Sequence, residues 1–497
     1  MASIRKTKTS SGATAIQVVR YENRKVVLLK HIGSAHEPEE LAALRESAEA
    51  WLAQETKQAS LFAKTKRRAI PLATARYVGV LHTFAYQVLV TIAKRCGFAT
   101  LNNQLLLDLA FLRLIEPVSK LRSIELLSHY FGIHHAERSV YRALPLMHTC
   151  KKKAEAIAVA CTQELLASDL ALVLYDVTTL YFETFDTDEL RVPGFSKDSK
   201  SQQPQIVVGL LVTREGFPLG YEVFKGNTFE GKTMIPVLEA FATTHGVTTP
   251  IVVADAAMLS RANVLELTNR KLSYIVGARL GNCAPPLIQE LATALGQRED
   301  RTIRRHTDHG DLVVAFSAKR YRKDKAEMER QIAKGRALVL RSEPGRRAKF
   351  VKRGNKNEQY VVDEALIAKT TLLLGMKGYY TNIREEQLSN LEVIARYHDL
   401  WHVEAAFRMA KSDLATRPIF HHKEDSVRAH MVICFVALTL GKYLEQKTGL
   451  SLRRVVDLLM GVTDARIIDT ATNEEFTLRS ELGEDIHTLS KKLGLSY

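Results

Sequence analysis

The apolar positions of residues 13–21 and of 25–32 cluster into two β-rich runs, and a short polar turn separates them. Two such runs on either side of a short turn predict a β-hairpin. From residue 39 to about 146 the apolar spacing becomes helical. Within that stretch Lys120–Phe131 reads as a helix, Gly132 as its stop and 138–144 as a second short helix. Helix, glycine turn and basic helix is compatible with a helix-turn-helix DNA reader, in which Arg138 and Arg142 would touch DNA. Two packed core helices are the commoner outcome of the same pattern.

The texture changes to strands between residues 171 and 254. Residues 171–182 form one β-rich run. Gln205–Thr213 and 219–224 flank a turn at 214–218, an amphipathic helix is expected over 232–244, and Ile251–Ala254 is a short apolar strand. Three strands, a helix and a fourth strand predict an α/β protein and match the opening of a ribonuclease-H-like core, although an ordinary α/β domain opens in the same way. A segment rich in charge and β signals follows over 280–383, then a long helical stretch over 385–447, and a tail at 451–497 that reads as short helices. The expected organisation is a mostly helical N-terminal region (1–150), the first part of the core (151–280), a β-rich insertion (281–383), a helix closing the core (384–447) and a helical tail (448–497).

Charge sharpens this outline. The 497 residues carry a net charge of +15, which favours a polyanionic partner. Residues 301–356 hold 18 Lys or Arg against 6 Asp or Glu, so +12 of the +15 sits in about a ninth of the chain. A solvated charge run is the plain reading. The apolar runs at 312–316 and 337–340 instead suggest folded strands and a DNA-contacting insertion. No apolar run in the sequence reaches the length of a membrane span, and the basic, polar start lacks the apolar centre of a secretory signal. Five scattered cysteines without a Cys-x-x-Cys pair argue against a zinc finger or a disulfide framework. The expectation is a cytoplasmic protein with no membrane partner.

Three carboxylates stand out. Asp176 interrupts the apolar run Leu172-Val173-Leu174-Tyr175, and Asp255 directly follows Ile251–Ala254. A carboxylate within a central strand is costly unless paired or metal-bound, and the C-terminal edge of an α/β sheet is where ligands gather. Asp255 could also cap the helix that follows it. Glu404 lies seven residues after Tyr397 and seven before Lys411, and on an unbroken helix each such step misses whole turns by only about 20°. Phosphodiester cleavage by a pair of divalent ions calls for hard oxygen ligands, which two Asp and one Glu from separate elements would supply to Mg²⁺ or Mn²⁺.

Tyr397-x2-Leu400-x3-Glu404-x6-Lys411 resembles the Tyr-x2-Arg-x3-Glu-x6-Lys signature of a large group of bacterial insertion-sequence DDE (Asp-Asp-Glu) transposases. The resemblance extends to Tyr175-Asp176-Val177-Thr178, to Gly194-Phe195-Ser196-Lys197-Asp198 followed by Gln205-Ile206-Val207-Val208-Gly209-Leu210, and to Gly216-Phe217-Pro218-Leu219. It continues through Gly226-Asn227-Thr228-Phe229-Glu230 and Val253-Ala254-Asp255-Ala256. These pieces occur in order over roughly residues 170–445. The resemblance implies a ribonuclease-H-like core, with Asp176, Asp255 and Glu404 as ligands of two Mg²⁺ or Mn²⁺ ions. It also implies phosphate contacts from Tyr397 and Lys411, with element ends and target DNA as partners of a homodimer in the bacterial cytoplasm or nucleoid. Two positions depart from the pattern. Leu400 stands where the signature has Arg, leaving Arg396 or Arg408 as substitutes, and Ala257 replaces a glycine. Trp401 either packs in the core or stacks on a displaced base. A non-catalytic DNA-binding protein derived from a transposase is the alternative reading.

Overall fold

The computed structural model describes residues 2–22, 25–56, 72–165, 170–196, 200, 202–245, 251–258, 260–341, 348–353 and 360–496. The hairpin turn expected at 23–24, Lys197 and Asp198 of the sequence motif, and parts of the basic stretch at 342–347 and 354–359 lie outside them. The chain divides into two compact units, Met1–Ala75 and Arg76–Tyr497.

In the first unit the two β-rich runs form the hairpin β2 (Thr14–Glu22) and β3 (Lys25–Ala35), with β1 (Ala2–Lys8) added antiparallel to β2. Helix Pro38–Thr56 covers the sheet, and Ile16, Val18 and Ala48 make its small core.

The second unit opens on β4 (Ala75–Leu81), which sits in a region that its apolar spacing marks as helical. Its helices include Gln104–Ile115 and Lys120–Phe131, and Gly132 ends the latter with φ 70°. That left-handed turn suits a residue without Cβ. The short second helix of the pair is Glu137–Ala143.

An eight-stranded sheet follows from β5 (Leu172–Tyr181), β6 (Gln205–Thr213), β7 (Pro218–Lys225), β8 (Ile251–Ala254), β9 (Ser273–Ala278), β10 (Thr302–Thr307) and β11 (Gly310–Phe316). After the two-stranded piece β12 (Val351–Arg353) and β13 (Tyr360–Val362), β14 (Met376–Thr381) completes it. The strand order is β10-β11-β14-β9-β8-β5-β6-β7. β8 runs parallel to both β5 and β9, while the other neighbours are antiparallel. Along β5 the residues Leu172 and Leu174 belong to one hydrophobic cluster and Val173, Tyr175 and Val177 to another. The sheet is therefore buried on both faces, which is why β5 and β6 read as nearly continuous apolar runs.

Three expectations need correcting. Residues 337–340 are not a strand but the end of helix Ala318–Arg341, whose lysines and arginines follow helical spacing. The stretch 385–447 is not one helix. It breaks into Asn390–His398, Trp401–Arg408, a π-helical turn Met409–Asp413, irregular chain, and Glu424–Thr448. The tail contains β15 (Asp464–Asp469) and β16 (Glu475–Arg479) between its helices, in a three-stranded sheet of order β16-β15-β4.

Helix Glu424–Thr448 is long and apolar enough to cross a membrane by length and composition, yet 94% of its most apolar window is buried inside the structure. It is the centre of the larger core, where Val436, Leu440 and Leu444 are fully covered. Each buried Leu or Val there contributes roughly 1.5–3 kcal/mol. Cys96, Cys161 and Cys434 are buried and Cys150 and Cys283 partly so, all as free thiols.

Candidate active site

β5 and β8 are parallel neighbours in a register that pairs Tyr175 with Ala254. The next residue on each chain is a carboxylate, Asp176 on β5 and Asp255 just beyond the end of β8, so the two acids stand side by side. Asp176 is half-buried, whereas Asp255 is exposed at the mouth of the sheet. An Asp255 carboxylate oxygen accepts the N–H of Ala256 at 2.6 Å. The following helix, Arg261–Asn269, is capped by Ser260 instead, so Asp255 is not its cap.

The third acid arrives on the helices that cover this sheet edge. Helix Asn390–His398 begins with a capping box between Ser389 and Glu392 and carries Tyr397 in its last turn. Asp399 and Leu400 then interrupt the helix, and Arg214 from the β6–β7 turn holds Asp399 through a 2.8 Å ion pair. Trp401–Arg408 resumes the course and carries Glu404 on its exposed side.

Asp176, Asp255 and Glu404 line one cavity of about 400 Å³, together with Lys377, Tyr397, His398, Leu400, Trp401 and Val403. A second cavity of about 540 Å³ shares Asp255, Lys377 and Tyr397 and reaches Arg320 and Gln331 on the basic helix. The Tyr397 hydroxyl donates to Asp255 Oδ1 at 3.1 Å. Burial first, then the charge of Asp255, pushes the Tyr397 phenol well above its ordinary range, so it remains a donor. Lys377 on β14 lies with Nζ 4.5 Å from the centre of the Tyr397 ring. Burial and the nearby Arg320 lower its pKa, while Asp255 and Glu404 act in the opposite direction. His398 is lowered by burial and then by Lys377.

The carboxylates form a hard-oxygen donor set of the kind that suits Mg²⁺ or Mn²⁺. Among the described residues no three His, Cys, Asp or Glu side chains are already gathered tightly enough to hold an ion. The fit is thus one of chemistry and shared cavity, and closing the set around an ion requires the side chains to turn inward.

The other candidates separate. Lys411 does not share the acid cavity. Tyr397 and Glu404 keep a common side across the break at Asp399–Leu400, since both line the acid cavity, but Lys411 falls in the π-helical turn and lines a small apolar cavity of about 40 Å³ with Phe407, Leu210 and Phe435. Arg408 is exposed and Arg396 half-buried, and neither lines the acid cavity. Leu400 is buried at 8% exposure, and Trp401 is 57% exposed, which removes the core reading of that tryptophan. Arg138 and Arg142 are exposed on Glu137–Ala143, away from the lining of either cavity. Sequence reasoning missed Lys377. A lone lysine in a β-rich run carries no local signal, and only strand pairing brings it to the acids.

A family model described as a transposase DDE domain matches residues 170–440, a span that contains all three carboxylates, Lys377 and Tyr397. No curated protein matches the chain. Among solved structures, the piggyBac transposase in a synaptic complex with hairpin DNA aligns over 83% of this chain and 75% of its own, with 10% identity and a TM-score of 0.38.

Proposed function

This chain belongs to the transposase DDE-domain family, and we propose that it is an active member, one that binds the inverted-repeat ends of its element, cleaves the DNA and joins it to a target. The observation that carries the reading is the set Asp176, Asp255 and Glu404 on a single cavity, within the residues that the family model spans. We read β5–β9 as a ribonuclease-H-like core. An antiparallel meander β5-β6-β7, a helix, and two further strands parallel to β5 support that reading.

In this mechanism Asp176, Asp255 and Glu404 would hold Mg²⁺ or Mn²⁺. Bound there, a pair of divalent ions would supply a strong nucleophile at neutral pH and stabilise the leaving oxygen. The protein's own groups do the positioning. Tyr397 holds the Asp255 carboxylate by its hydroxyl, Lys377 provides a cation beside the acids, and Arg320 continues the positive surface toward the basic helix. Lys377 takes the electrostatic part that the signature assigns to the position of Leu400. The exposed Trp401 ring offers a face for a displaced base. A dimer on paired DNA ends, in the bacterial cytoplasm or nucleoid, goes with this activity.

The decisive experiment is cleavage and joining of DNA bearing the gene's own flanking repeats, with and without Mg²⁺ or Mn²⁺. Nicks at the repeat boundary and joined products are expected, and Asp176→Ala, Asp255→Ala and Glu404→Ala should each abolish them without loss of DNA binding. Leu400, apolar and buried at the signature's arginine position, favours one other reading: a DNA-binding protein derived from a transposase. Metal-independent binding with no cleavage, identical in the wild type and Glu404→Ala, would establish that reading instead.

A further inference from the structure

For Asp176 and Glu404 to serve one ion their separation has to be fixed, yet the helix that carries Glu404 does little to fix itself. Trp401–Arg408 is only 8 residues long, its N-cap Leu400 makes no side-chain capping bond, and a π-helical turn follows it. Val403, Ala406 and Phe407 bury one side of it. Apolar burial is non-directional, so it keeps the helix on the sheet without setting its slide or its rotation.

The turn between β6 and β7 grips this helix at its start. Arg214 Nε donates to Asp399 Oδ2 at 2.8 Å, five residues before Glu404. Gly216, at φ 81°, lies against the backbone of His402, where a Cβ would come within 3.1 Å of both the His402 Cβ and the His402 carbonyl oxygen. The turn itself is stiff. The Thr213 N–H donates to the Phe217 carbonyl at 2.9 Å, the Gly216 N–H to the Thr213 carbonyl at 2.9 Å, and the Phe217 N–H to Thr213 Oγ1 at 3.2 Å. Thr213 and Phe217 are fully buried, and Gln446 of helix Glu424–Thr448 donates to the Glu215 carbonyl at 3.2 Å.

The same turn is tied to the first acid. Asp176 on β5 pairs with Leu210 on β6, and that strand enters the turn at Thr213, three residues further on. Three strand residues span about 10 Å and five helical residues about 7.5 Å. A short path therefore runs from Asp176 across the ladder to Leu210, along β6 to Arg214, over the ion pair to Asp399 and down the helix to Glu404. The Arg214 side chain is 56% exposed. A pair so open to water contributes little to the stability of the fold, which leaves orientation as its effect.

We propose that the β6–β7 turn is a strut that sets Glu404 against Asp176, with Arg214 and Gly216 as its positioning residues. This rests on the proposed function, in which both acids are ligands of a divalent ion. Such constellations tolerate displacements of only about 0.5 Å, and partners that orient metal ligands matter by roughly 10–100-fold.

The test is Mn²⁺ binding to the full-length protein without DNA, followed by electron paramagnetic resonance, beside cleavage as a function of Mn²⁺ concentration. Arg214→Met should weaken Mn²⁺ binding about ten-fold and raise the concentration for half-maximal cleavage by the same factor. The rate at saturating Mn²⁺ and the thermal midpoint should stay close to those of the wild type. Gly216→Ala should act in the same direction. Arg214→Asp combined with Asp399→Arg restores the pair in reverse, and should recover most of the affinity that either single change loses. Wild-type Mn²⁺ affinity in both Arg214→Met and Gly216→Ala would overturn the proposal. So would a loss of DNA affinity in EDTA with Mn²⁺ binding intact, which would make Arg214 a DNA contact instead. Glu404→Ala separates this proposal from the reading beneath it. If Glu404→Ala loses Mn²⁺ affinity and Arg214→Met does not, the strut alone fails. If Glu404→Ala binds Mn²⁺ like the wild type, the ligand assignment fails and the strut with it.

Discussion

At the residue scale, the Tyr397 hydroxyl links the helical cover to the sheet edge through its 3.1 Å bond to Asp255. Its pKa is raised by burial and by the adjacent carboxylate, so the phenol stays protonated at any working pH and orients Asp255 as a fixed donor. Tyr397→Phe keeps the ring packed against Tyr379, with centroids 4.7 Å apart, and deletes only that bond. Partners that orient a metal ligand typically matter by 10–100-fold, so cleavage at limiting Mg²⁺ should fall by about that factor. Raising the metal concentration should recover part of it. A loss that excess metal leaves untouched would show that Tyr397 acts on DNA rather than through Asp255. Lys377 is a different case, because the part proposed for it is charge. Lys377→Met should weaken binding of cleavable DNA by about ten-fold, as expected for one charge-assisted contact, with the dependence on metal concentration unchanged. Equal affinity of the two proteins for DNA would exclude the role assigned in place of an arginine at Leu400.

At the element scale, the site depends on backbones that approach closely. A Cβ at Gly277 on β9 would lie 2.5 Å from the Tyr397 hydroxyl and 3.1 Å from the Ala256 nitrogen. Gly277→Ala should therefore push Tyr397 off Asp255 and reduce cleavage much as Tyr397→Phe does. Most of the clash is with the hydroxyl, so the double variant should be little worse than either single one. Contacting residues are where such non-additivity is expected, and fully additive losses in cleavage would refute the coupling. This closeness was not legible in the sequence. The strand positions of Asp176 and Asp255 were, since a carboxylate that interrupts or ends an apolar run is a local signal. The helix Lys120–Phe131 and its glycine stop were legible for the same reason. The stripe of Tyr397, Glu404 and Lys411 assumed an unbroken helix. Tyr397 and Glu404 do share the acid cavity, and it is the π-helical turn at Met409–Asp413, which a spacing argument for a regular helix does not anticipate, that takes Lys411 away. The hairpin of β10 and β11 joins the main sheet only through β14, by pairings of β14 with β11 and β9 between residues far apart in sequence, which local patterns do not encode.

At the scale of the whole molecule, the proposed function requires the net charge of +15 to attract DNA without holding it away from a cavity lined by three acids. Helix Ala318–Arg341 meets that need. Its Arg320 reaches the cavity that shares Asp255, Lys377 and Tyr397, while Arg322, Lys323 and Lys325 are exposed along it. A polyanion held along this helix would be delivered to the edge of the acid site, with the repulsion of the carboxylates offset by the cations behind it. The arrangement has a thermodynamic signature, because each phosphate neutralised releases counterions and adds about 0.9 to the slope of log affinity against log salt on duplex DNA. Replacing Arg322, Lys323 and Lys325 together by Gln should lower that slope by about 1 to 3. Affinity at low salt should drop, and the thermal midpoint should barely move, since exposed charges contribute little to stability. Cleavage at saturating DNA should persist, because the acids, Tyr397 and Lys377 are untouched. A slope equal to that of the wild type would mean that DNA follows another path to the site.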